Sequence, residues 1–281
     1  VLLAALSRLL CNSAASAFGR LGNPTIVRNH CGHTSKQPQS TGIGLARYST
    51  SFYAQSSFGL LRCTYFLKFN HAMFTGIITG QGQITEVAAL GATASHGKRL
   101  VIRAPEGYLD DVGLGDSIAL NGACMTVTTL SPDTRQFTVD ISAESLLKTT
   151  GLDTPGPINM EKALRANDRL GGHLVSGHVD GLGQVTHFAQ VGESWELRIM
   201  APRDLGRYLA YKGSITVNGV SLTVNRIADS ADGCEVSINL IPHTVENTAL
   251  GTLKAGSRVN LEIDLIARYV ERMVTAPAAA R

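Results

Sequence analysis

The sequence predicts an all-β protein made of two tandem, duplicated six-stranded Greek-key β-barrels followed by a C-terminal amphipathic helix. Residues 115–127 (GDSIALNGACMTV) return as 212–224 (KGSITVNGVSLTV) with six of thirteen positions identical, and 74–84 is matched in the same order by 175–185. Short β-branched and apolar runs are separated by Gly, Asn and Asp. After Asp264 the apolar spacing becomes helical. The chain therefore contains two copies of one module of about a hundred residues.

The first 72 residues have the composition of a leader. They hold seven Lys or Arg and no Asp or Glu, and they are rich in Ser and Ala. We expect a disordered transit peptide that directs the chain to the chloroplast, with the mitochondrion as the alternative. A secretory signal and an untargeted tail stay open. Residues 73–281 hold 18 basic against 22 acidic residues, so the basic isoelectric point predicts no nucleic-acid binding.

Each module is expected to form a closed barrel, because closure removes exposed sheet edges. We place the first barrel at residues 73–168 and the second at 169–264. Asn121-Gly122 and Asn218-Gly219 each separate two strand-like runs and favour tight hairpin turns. Short helices are expected at 105–109 and 202–205, and a helical link at 163–169. The clearest strand predictions are Arg99–Arg103, Ser117–Leu120, Thr126–Leu130, Gln136–Ile141, Trp195–Met200, Ser214–Val217 and Glu235–Leu240.

Residues 265–281 are expected to form a helix and a short tail. Leu265, Ile266, Tyr269, Val270 and Met273 share one face at helical spacing. An apolar face outside two closed barrels needs a partner, so we interpret this helix as an oligomerisation element; packing on its own domain is the alternative. No stretch of the chain is apolar for long enough to predict a membrane span.

Cysteine and glycine usage excludes several kinds of site. Cys124 and Cys234 are the only cysteines after the leader and occupy non-equivalent places in the repeat, so we expect neither a disulfide framework nor a metal site, and a reducing compartment fits. His173 and His178 are expected to lie on a strand, where a spacing of five puts them on opposite faces, so they are not expected to share a metal. The glycine pairs at 80–82 and 181–183 are interpreted as bends or bulges in barrel strands.

Differences between the two copies mark candidate functional residues. Cys124 aligns with Ser221, and Ile77 aligns with His178. Strand alternation places Thr126 on the face of Cys124 and Thr223 on the face of Ser221. Asn159–Glu161 repeats as Asn260–Glu262. A buried thiol or a single histidine is often only structural. The pattern nevertheless predicts two similar but inequivalent sites for one kind of small polar ligand.

Several motifs in this order resemble the riboflavin synthase family, which consists of tandem lumazine-binding barrels. The resemblance extends over residues 73–281. It rests on MFTGII at 73–78, Ser117 with NGACMT at 121–126, GGHLVSGH at 171–178, YKG at 211–213, GVSLT at 219–223 and LIPHT at 240–244.

The resemblance implies a transferase. Two molecules of 6,7-dimethyl-8-ribityllumazine exchange a four-carbon unit and give riboflavin and 5-amino-6-(ribitylamino)uracil, with no cofactor or metal. The family also implies a homotrimer held by its terminal helices, with each active site between the N-terminal barrel of one subunit and the C-terminal barrel of the next. Neither a nucleic acid nor a membrane is expected as a partner.

The resemblance also assigns residues. Four are expected to be catalytic: Cys124, which assists or positions the nucleophile, His178 as general base or orienting group, and Ser117 and Asp264 as supporting hydrogen-bond partners. The expected N-terminal substrate site comprises Gly76, Ile77, Ile78, Cys124, Met125, Thr126, Asp140, Ile141, Ser142, Ala143, Glu144 and Ser145. The expected C-terminal site comprises Gly177, His178, Val179, Lys212, Ser221, Leu222, Thr223, Asn239, Leu240, Ile241, Pro242, His243 and Thr244.

Two other functions stay open at this point. Some proteins with this fold bind lumazine or flavin as a fluorescent accessory and do not convert it; loss of the cysteine or histidine would favour that interpretation, and both are present here. The other alternative is a structural trimer with vestigial pockets.

Overall fold

The computed structural model describes residues 50–56, 59–65, 72–93 and 95–276. The chain divides into two compact units, residues 1–67 and 68–281. In the first unit, β1 (Thr50–Ser56) pairs with β2 (Gly59–Tyr65) as an antiparallel hairpin. Most of the expected transit peptide lies outside the described residues, as does the end of the expected tail, so both stay predictions.

The second unit contains two closed six-stranded antiparallel barrels, which confirms the predicted fold. The first barrel consists of β3 (Gly80–Ala89), β4 (Lys98–Arg103), β5 (Ser117–Leu120), β6 (Ala123–Ser131), β7 (Gln136–Ile141) and β8 (Gly156–Lys162). The second consists of β9 (Gly181–Val191), β10 (Ser194–Ala201), β11 (Ser214–Val217), β12 (Val220–Asp229), β13 (Cys234–Leu240) and β14 (Arg258–Ile263). Their strand orders, β3-β4-β7-β6-β5-β8 and β9-β10-β13-β12-β11-β14, are the same Greek-key arrangement.

Short helices connect some of the strands, and another helix follows the last strand. They are α1 (Ala143–Lys148), α2 (Arg203–Gly206), α3 (Pro242–Asn247) and the terminal α4 (Leu265–Thr275), with 3-10 turns at Pro132–Thr134 and Ala249–Thr252. Among the described helices, none is long and apolar enough to span a membrane.

Three local predictions were wrong. Residues 106–110 form turns instead of a helix, because Gly107 adopts a left-handed φ of 73°. The link at 163–169 is not helical: it is irregular except for one turn, in which the N–H of Asp168 donates to the carbonyl oxygen of Arg165. His173 and His178 lie in irregular backbone and not on a strand.

The sequence suggested bends or bulges at the glycine pairs 80–82 and 181–183, but no bulge lies at either pair. The bulges fall a few residues later, where Thr85 and Thr186 are extra residues in the pairing of the first two strands of each barrel. Gly82 instead makes room for the core: a Cβ there would lie 2.7 Å from the sulfur of Met160. These glycines let core side chains approach the strand closely.

The Asn-Gly turns were predicted correctly and also join the barrels. Asn121 and Asn218 have φ of 45° and 46°, as tight hairpin turns require. The Nδ2 group of Asn159 donates to the carbonyl oxygen of Asn218 at 3.0 Å, and that of Asn260 donates to Asn121 at 2.9 Å. Each barrel therefore holds the turn of the other through the repeated Asn-x-Glu motif.

Candidate active site

Each barrel is preceded by an arm that packs on the other barrel. We call residues 74–78 the first arm and residues 175–179 the second arm. They cross as an antiparallel bridge, in which Phe74 N–H donates to Val175 at 2.8 Å and Val175 N–H donates back at 3.1 Å. Ile78 packs on the core of the second barrel and Val179 on the core of the first. The crossing brings parts of both modules to each candidate site.

The second arm lies directly on Cys124. The N–H of Cys124 donates to the carbonyl oxygen of Gly177 at 2.8 Å. Gly177 has a φ of 76°, and a Cβ there would lie 2.7 Å from the Cβ of Cys124, so only glycine fits. His178 follows immediately and its side chain is exposed. Cys124 and His178, two of the four residues expected to be catalytic, are thus brought together from different barrels.

The first arm makes the equivalent contact with Ser221. The N–H of Ser221 donates to the carbonyl oxygen of Gly76 at 2.7 Å. The resemblance groups Gly76–Ile78 with Cys124 and Gly177–Val179 with Ser221, whereas the backbone bonds of the structure join Gly177 to Cys124 and Gly76 to Ser221. The reason is the antiparallel crossing of the arms, which carries each one past its own barrel.

Two buried carboxylates hold the arms in place. Glu161 accepts bonds from the N–H and hydroxyl of Thr75 at 2.7 and 2.8 Å and from Gly76 N–H at 2.9 Å. Glu262 holds the second arm in the same way, accepting from the N–H groups of residues 176–178 and the hydroxyl of Ser176. Burial raises the pKa of both carboxyls, and these hydrogen bonds oppose that rise. The sequence showed the repeat of these glutamates but not their role.

Cys124 is in a largely apolar environment. It packs beside a small buried cluster of Phe74, Ala119 and Val175. Burial raises the pKa of its thiol, a hydrogen bond from Ser117 lowers it, and the charge of Glu262 raises it again. The thiol is therefore protonated near neutral pH.

Asp264 and His173 lie on the Ser221 side of the arms. Asp264 begins α4, where its carboxylate accepts from the N–H of Ile266 at 2.9 Å. Nδ1 of His173 is 2.8 Å from Oγ of Ser221. Burial lowers the pKa of His173, and the charge of Asp264 opposes this. Sequence reasoning considered His173 only as a metal ligand and missed its contact with Ser221.

Strand alternation limits what the predicted strand residues can offer a ligand. The side chains of Thr126 and Thr223 are exposed on the outer face, on the side of Cys124 and Ser221, as predicted. Four other predicted residues instead direct their side chains into the barrel cores, which leaves only their backbone for a ligand: Met125, Ile141, Leu222 and Leu240.

The strand ends and short helices supply the remaining predicted residues. The carboxylate of Asp140 is held by Arg99 through bonds of 2.7 and 2.8 Å, which lower its pKa. The hydroxyl of Ser142 accepts from the N–H of Ser145 at 3.0 Å and caps α1. Asn239, Ile241, Pro242 and His243 are exposed at the equivalent end of the second barrel, with Thr244 half-buried.

Lys212 has a strained backbone. Its φ is 63°, whereas its counterpart Gly115 adopts 84° without a side-chain penalty. Its ammonium group lies 5.4 Å from the centre of the Tyr211 ring. A left-handed lysine where the other copy has glycine is consistent with a functional side chain at this end of the second barrel.

A cavity of about 1070 Å³ lies beside the first arm. Ile77, Ile78 and His243 from the predicted site line it, together with Tyr108 and Arg165. Cys124, His178 and Ser221 are not part of its lining, so the cavity does not enclose them. Among the described residues, no group of three or more His, Cys, Asp or Glu is arranged to hold a metal.

Comparison with known proteins also finds two copies of one domain in this chain. The lumazine binding domain model matches residues 75–163 and again 176–264. Riboflavin synthase of Mycobacterium tuberculosis is 47% identical over 206 residues, which cover 72% of this chain and 98% of the relative. Riboflavin synthase of Bacillus subtilis is 40% identical over 204 residues, covering 72% and 90%.

The chain belongs to the riboflavin synthase family.

Solved structures similar to this family member contain ligands. LumP complexed with 6,7-dimethyl-8-(1'-D-ribityl) lumazine matches with a TM-score of 0.57 and 27% identity, covering 68% of this chain and 98% of LumP. LumP complexed with riboflavin matches with a TM-score of 0.59 and 28% identity, with the same coverage. In LumP, therefore, a similar fold binds a lumazine and riboflavin.

Proposed function

We propose that this chain is a transferase that converts two molecules of 6,7-dimethyl-8-ribityllumazine into riboflavin and 5-amino-6-(ribitylamino)uracil. One observation carries the proposal: the crossed arms build two equivalent sites with different chemistry. One site joins the thiol of Cys124 to the second arm with His178, and the other joins the hydroxyl of Ser221 to the first arm with Ile77. Two identical substrates can therefore take different roles.

The residues suit the chemistry of this exchange. The C7 methyl group of the acceptor lumazine is acidic because its anion delocalises into the ring, so a base beside it is sufficient to form a carbanion. The donor is opened by nucleophilic addition at C7 and transfers four carbons. The equation balances without an oxidant or a reductant. Catalysis then consists mainly of alignment of two ligands and of proton transfer, for which a histidine at working pH is suited.

The proposal is tested by mixing the purified chain with the lumazine, without added cofactor, and following riboflavin absorbance. One riboflavin for every two lumazines consumed is the expected result. Tight binding without riboflavin would instead indicate a lumazine carrier, and no binding would indicate a structural protein.

The proposed assembly is a homotrimer joined through α4. The helix is anchored by Arg268, whose guanidinium bonds to Asp180 at 2.6 Å, while Tyr269 and Met273 are 62% and 72% exposed. Leu147 and Ile241, beside the two predicted sites, are also exposed. Apolar surface at both places fits the family arrangement, in which neighbouring subunits complete each site.

Sedimentation equilibrium tests the trimer. Met273→Asp is expected to give monomers, whereas Val191→Asp, at an exposed apolar position on β9 away from the helix, should leave the assembly unchanged. A wild-type monomer at micromolar concentration would contradict the proposal.

The proposed location is the chloroplast, with the mitochondrion as the alternative. The support is the acid-free, Ser-rich composition of residues 1–72. A fluorescent protein fused behind these residues should enter plastids. A cytosolic signal would exclude a transit peptide, and a mitochondrial signal would select the alternative.

A further inference from the structure

Ser221 has an imidazole partner that its counterpart in the first barrel lacks. Nδ1 of His173 is 2.8 Å from Oγ of Ser221. Cys124 aligns with Ser221, and the repeat aligns Ala72 with His173. Ala72 packs with Cys124 against an apolar cluster. One site therefore contains a thiol among apolar groups, and the other contains a hydroxyl paired with an imidazole.

Backbone contacts fix both members of the pair on the first arm. The N–H of His173 donates to the carbonyl oxygen of Thr75 at 3.1 Å, and the N–H of Ser221 donates to that of Gly76 at 2.7 Å. Gly172 permits this approach, because a Cβ there would lie 2.8 Å from the Cβ of Ser221 and 2.1 Å from the Thr75 carbonyl oxygen. The imidazole and the hydroxyl are thus held together from two neighbouring backbone positions.

The surroundings of His173 favour an uncharged ring that bonds to the Ser221 side chain. Burial lowers its pKa, with the carboxylate of Asp264 acting in the opposite direction. Its Nε2 is buried and has no hydrogen-bond partner among the described residues. A histidine retained only for stability would be expected to satisfy both ring nitrogens, because an unpaired buried group costs free energy.

We propose that His173 is a positioning residue for the C-terminal ligand site, where it fixes the direction of the Ser221 hydroxyl towards bound lumazine. A neutral ring either accepts the hydroxyl proton at Nδ1, which leaves Oγ to accept from the ligand, or donates to Oγ, which leaves the hydroxyl proton for the ligand, so the tautomer of His173 sets the role of the hydroxyl. The inference rests on the proposed function, and it adds a residue that acts at only one of the two sites. His173 thereby helps to make the sites inequivalent.

A double-mutant cycle on the full chain tests this role. His173→Ala is expected to lower kcat roughly tenfold, the loss of one well-placed hydrogen bond, but to have less than about a twofold effect when Ser221→Ala is already present. His173→Asn, whose amide can replace Nδ1, should recover most of the activity. His187→Ala, at an exposed histidine on β9, serves as the matched control and should behave like wild type.

The same cycle is repeated with the Kd for the lumazine as the measured quantity. Lumazine fluorescence gives this Kd and requires no turnover. Coupling between the two positions in Kd supports the inference even if wild type forms no riboflavin, an outcome that would contradict only the proposed function. Equal effects of His173→Ala with and without the Ser221 hydroxyl would show a merely structural role and overturn the inference. So would an undiminished kcat and Kd in His173→Ala. If His173→Ala fails to fold, His173→Leu, which fills the space without a hydrogen-bonding group, takes its place in the cycle with Ser221→Ala, and additive losses overturn the inference.

Discussion

The backbone N–H of Cys124 donates to the carbonyl oxygen of Gly177 at 2.8 Å, although the two residues belong to different barrels. This bond places the thiol beside the arm that carries His178. The equivalent bond from Ser221 to Gly76 does the same for the other barrel. The exchange of arms is therefore the structural basis of both candidate sites.

Replacement of His178 should affect turnover more than binding. His178→Ala is expected to lower kcat by about a hundredfold, the usual contribution of a positioned proton-transfer group, with the Kd for lumazine within about twofold of wild type. Riboflavin absorbance and lumazine fluorescence measure the two quantities. His187→Ala is the control. Full turnover in His178→Ala would remove His178 from the mechanism.

Ser117 should control the ionisation of Cys124. Burial raises the pKa of the thiol and the Ser117 hydroxyl lowers it, so Ser117→Ala should raise the pKa further. Iodoacetamide labelling of the Cys124 peptide, followed by mass spectrometry against pH, measures the change. Cys234, whose pKa burial raises to about 11, provides an internal control that Ser117→Ala should leave unchanged. A pH profile for Cys124 that does not move would contradict the assigned contact.

Glu262 should make stability depend on pH in a defined direction. Its pKa in the folded state is raised above the ordinary 4.5 by burial, so in the window above 4.5 the folded state keeps a proton that the unfolded state has lost. The free energy of unfolding should therefore fall as pH rises through that window and then become constant.

The matched variant for this test is Glu262→Gln, which cannot ionise. Its amide cannot accept all the N–H groups of the second arm, so it should cost about 1–3 kcal/mol of stability. It should also flatten the pH dependence in urea unfolding. An unchanged slope would assign that dependence to other groups, such as Glu161.

The two Asn-Gly turns pack so closely that a methyl group added at Gly122 should destabilise the fold. A Cβ at Gly122 would lie 2.9 Å from the backbone nitrogen of Gly219, in addition to the strain of a φ of 84°. Gly256→Ala isolates the strain, since Gly256 has a φ of 88° and nothing lies within 4 Å of the position that an added Cβ would take. We expect Gly256→Ala to cost about 1 kcal/mol in urea unfolding and Gly122→Ala at least about 2 kcal/mol. Equal costs would show that the turns can separate without penalty.

Lys212 is expected to strengthen lumazine binding without adding to the stability of the fold. Lys212→Gly removes a left-handed lysine, and the relief of about 1 kcal/mol offsets the entropy cost of glycine, so stability should stay the same or rise slightly. The Kd for lumazine should rise because the ammonium group is lost. Arg135→Gly, with a φ of 55° in a turn away from the site, should show the same stability change without the change in Kd. Unaltered lumazine affinity in Lys212→Gly would exclude a binding role.

The sequence by itself determined the fold class and the residue types of the sites. The repeat, the alternation of Cys124 and Thr126 on one strand face, and the helical spacing after Asp264 depend on local periodicity, which the sequence displays directly. The Asn-Gly turns were likewise predictable, because few dipeptides tolerate the left-handed backbone of a tight hairpin.

Only the tertiary structure decided which parts of the two copies meet. The crossing at Phe74 and Val175 places Gly177 on Cys124 and brings His173 to Ser221, which alignment of the copies could not reveal. The physical reason is that a repeat specifies what each module contains, whereas contacts between modules depend on where each arm finds partners for its backbone N–H groups. Glu161 and Glu262 supply those partners from strands far along the chain.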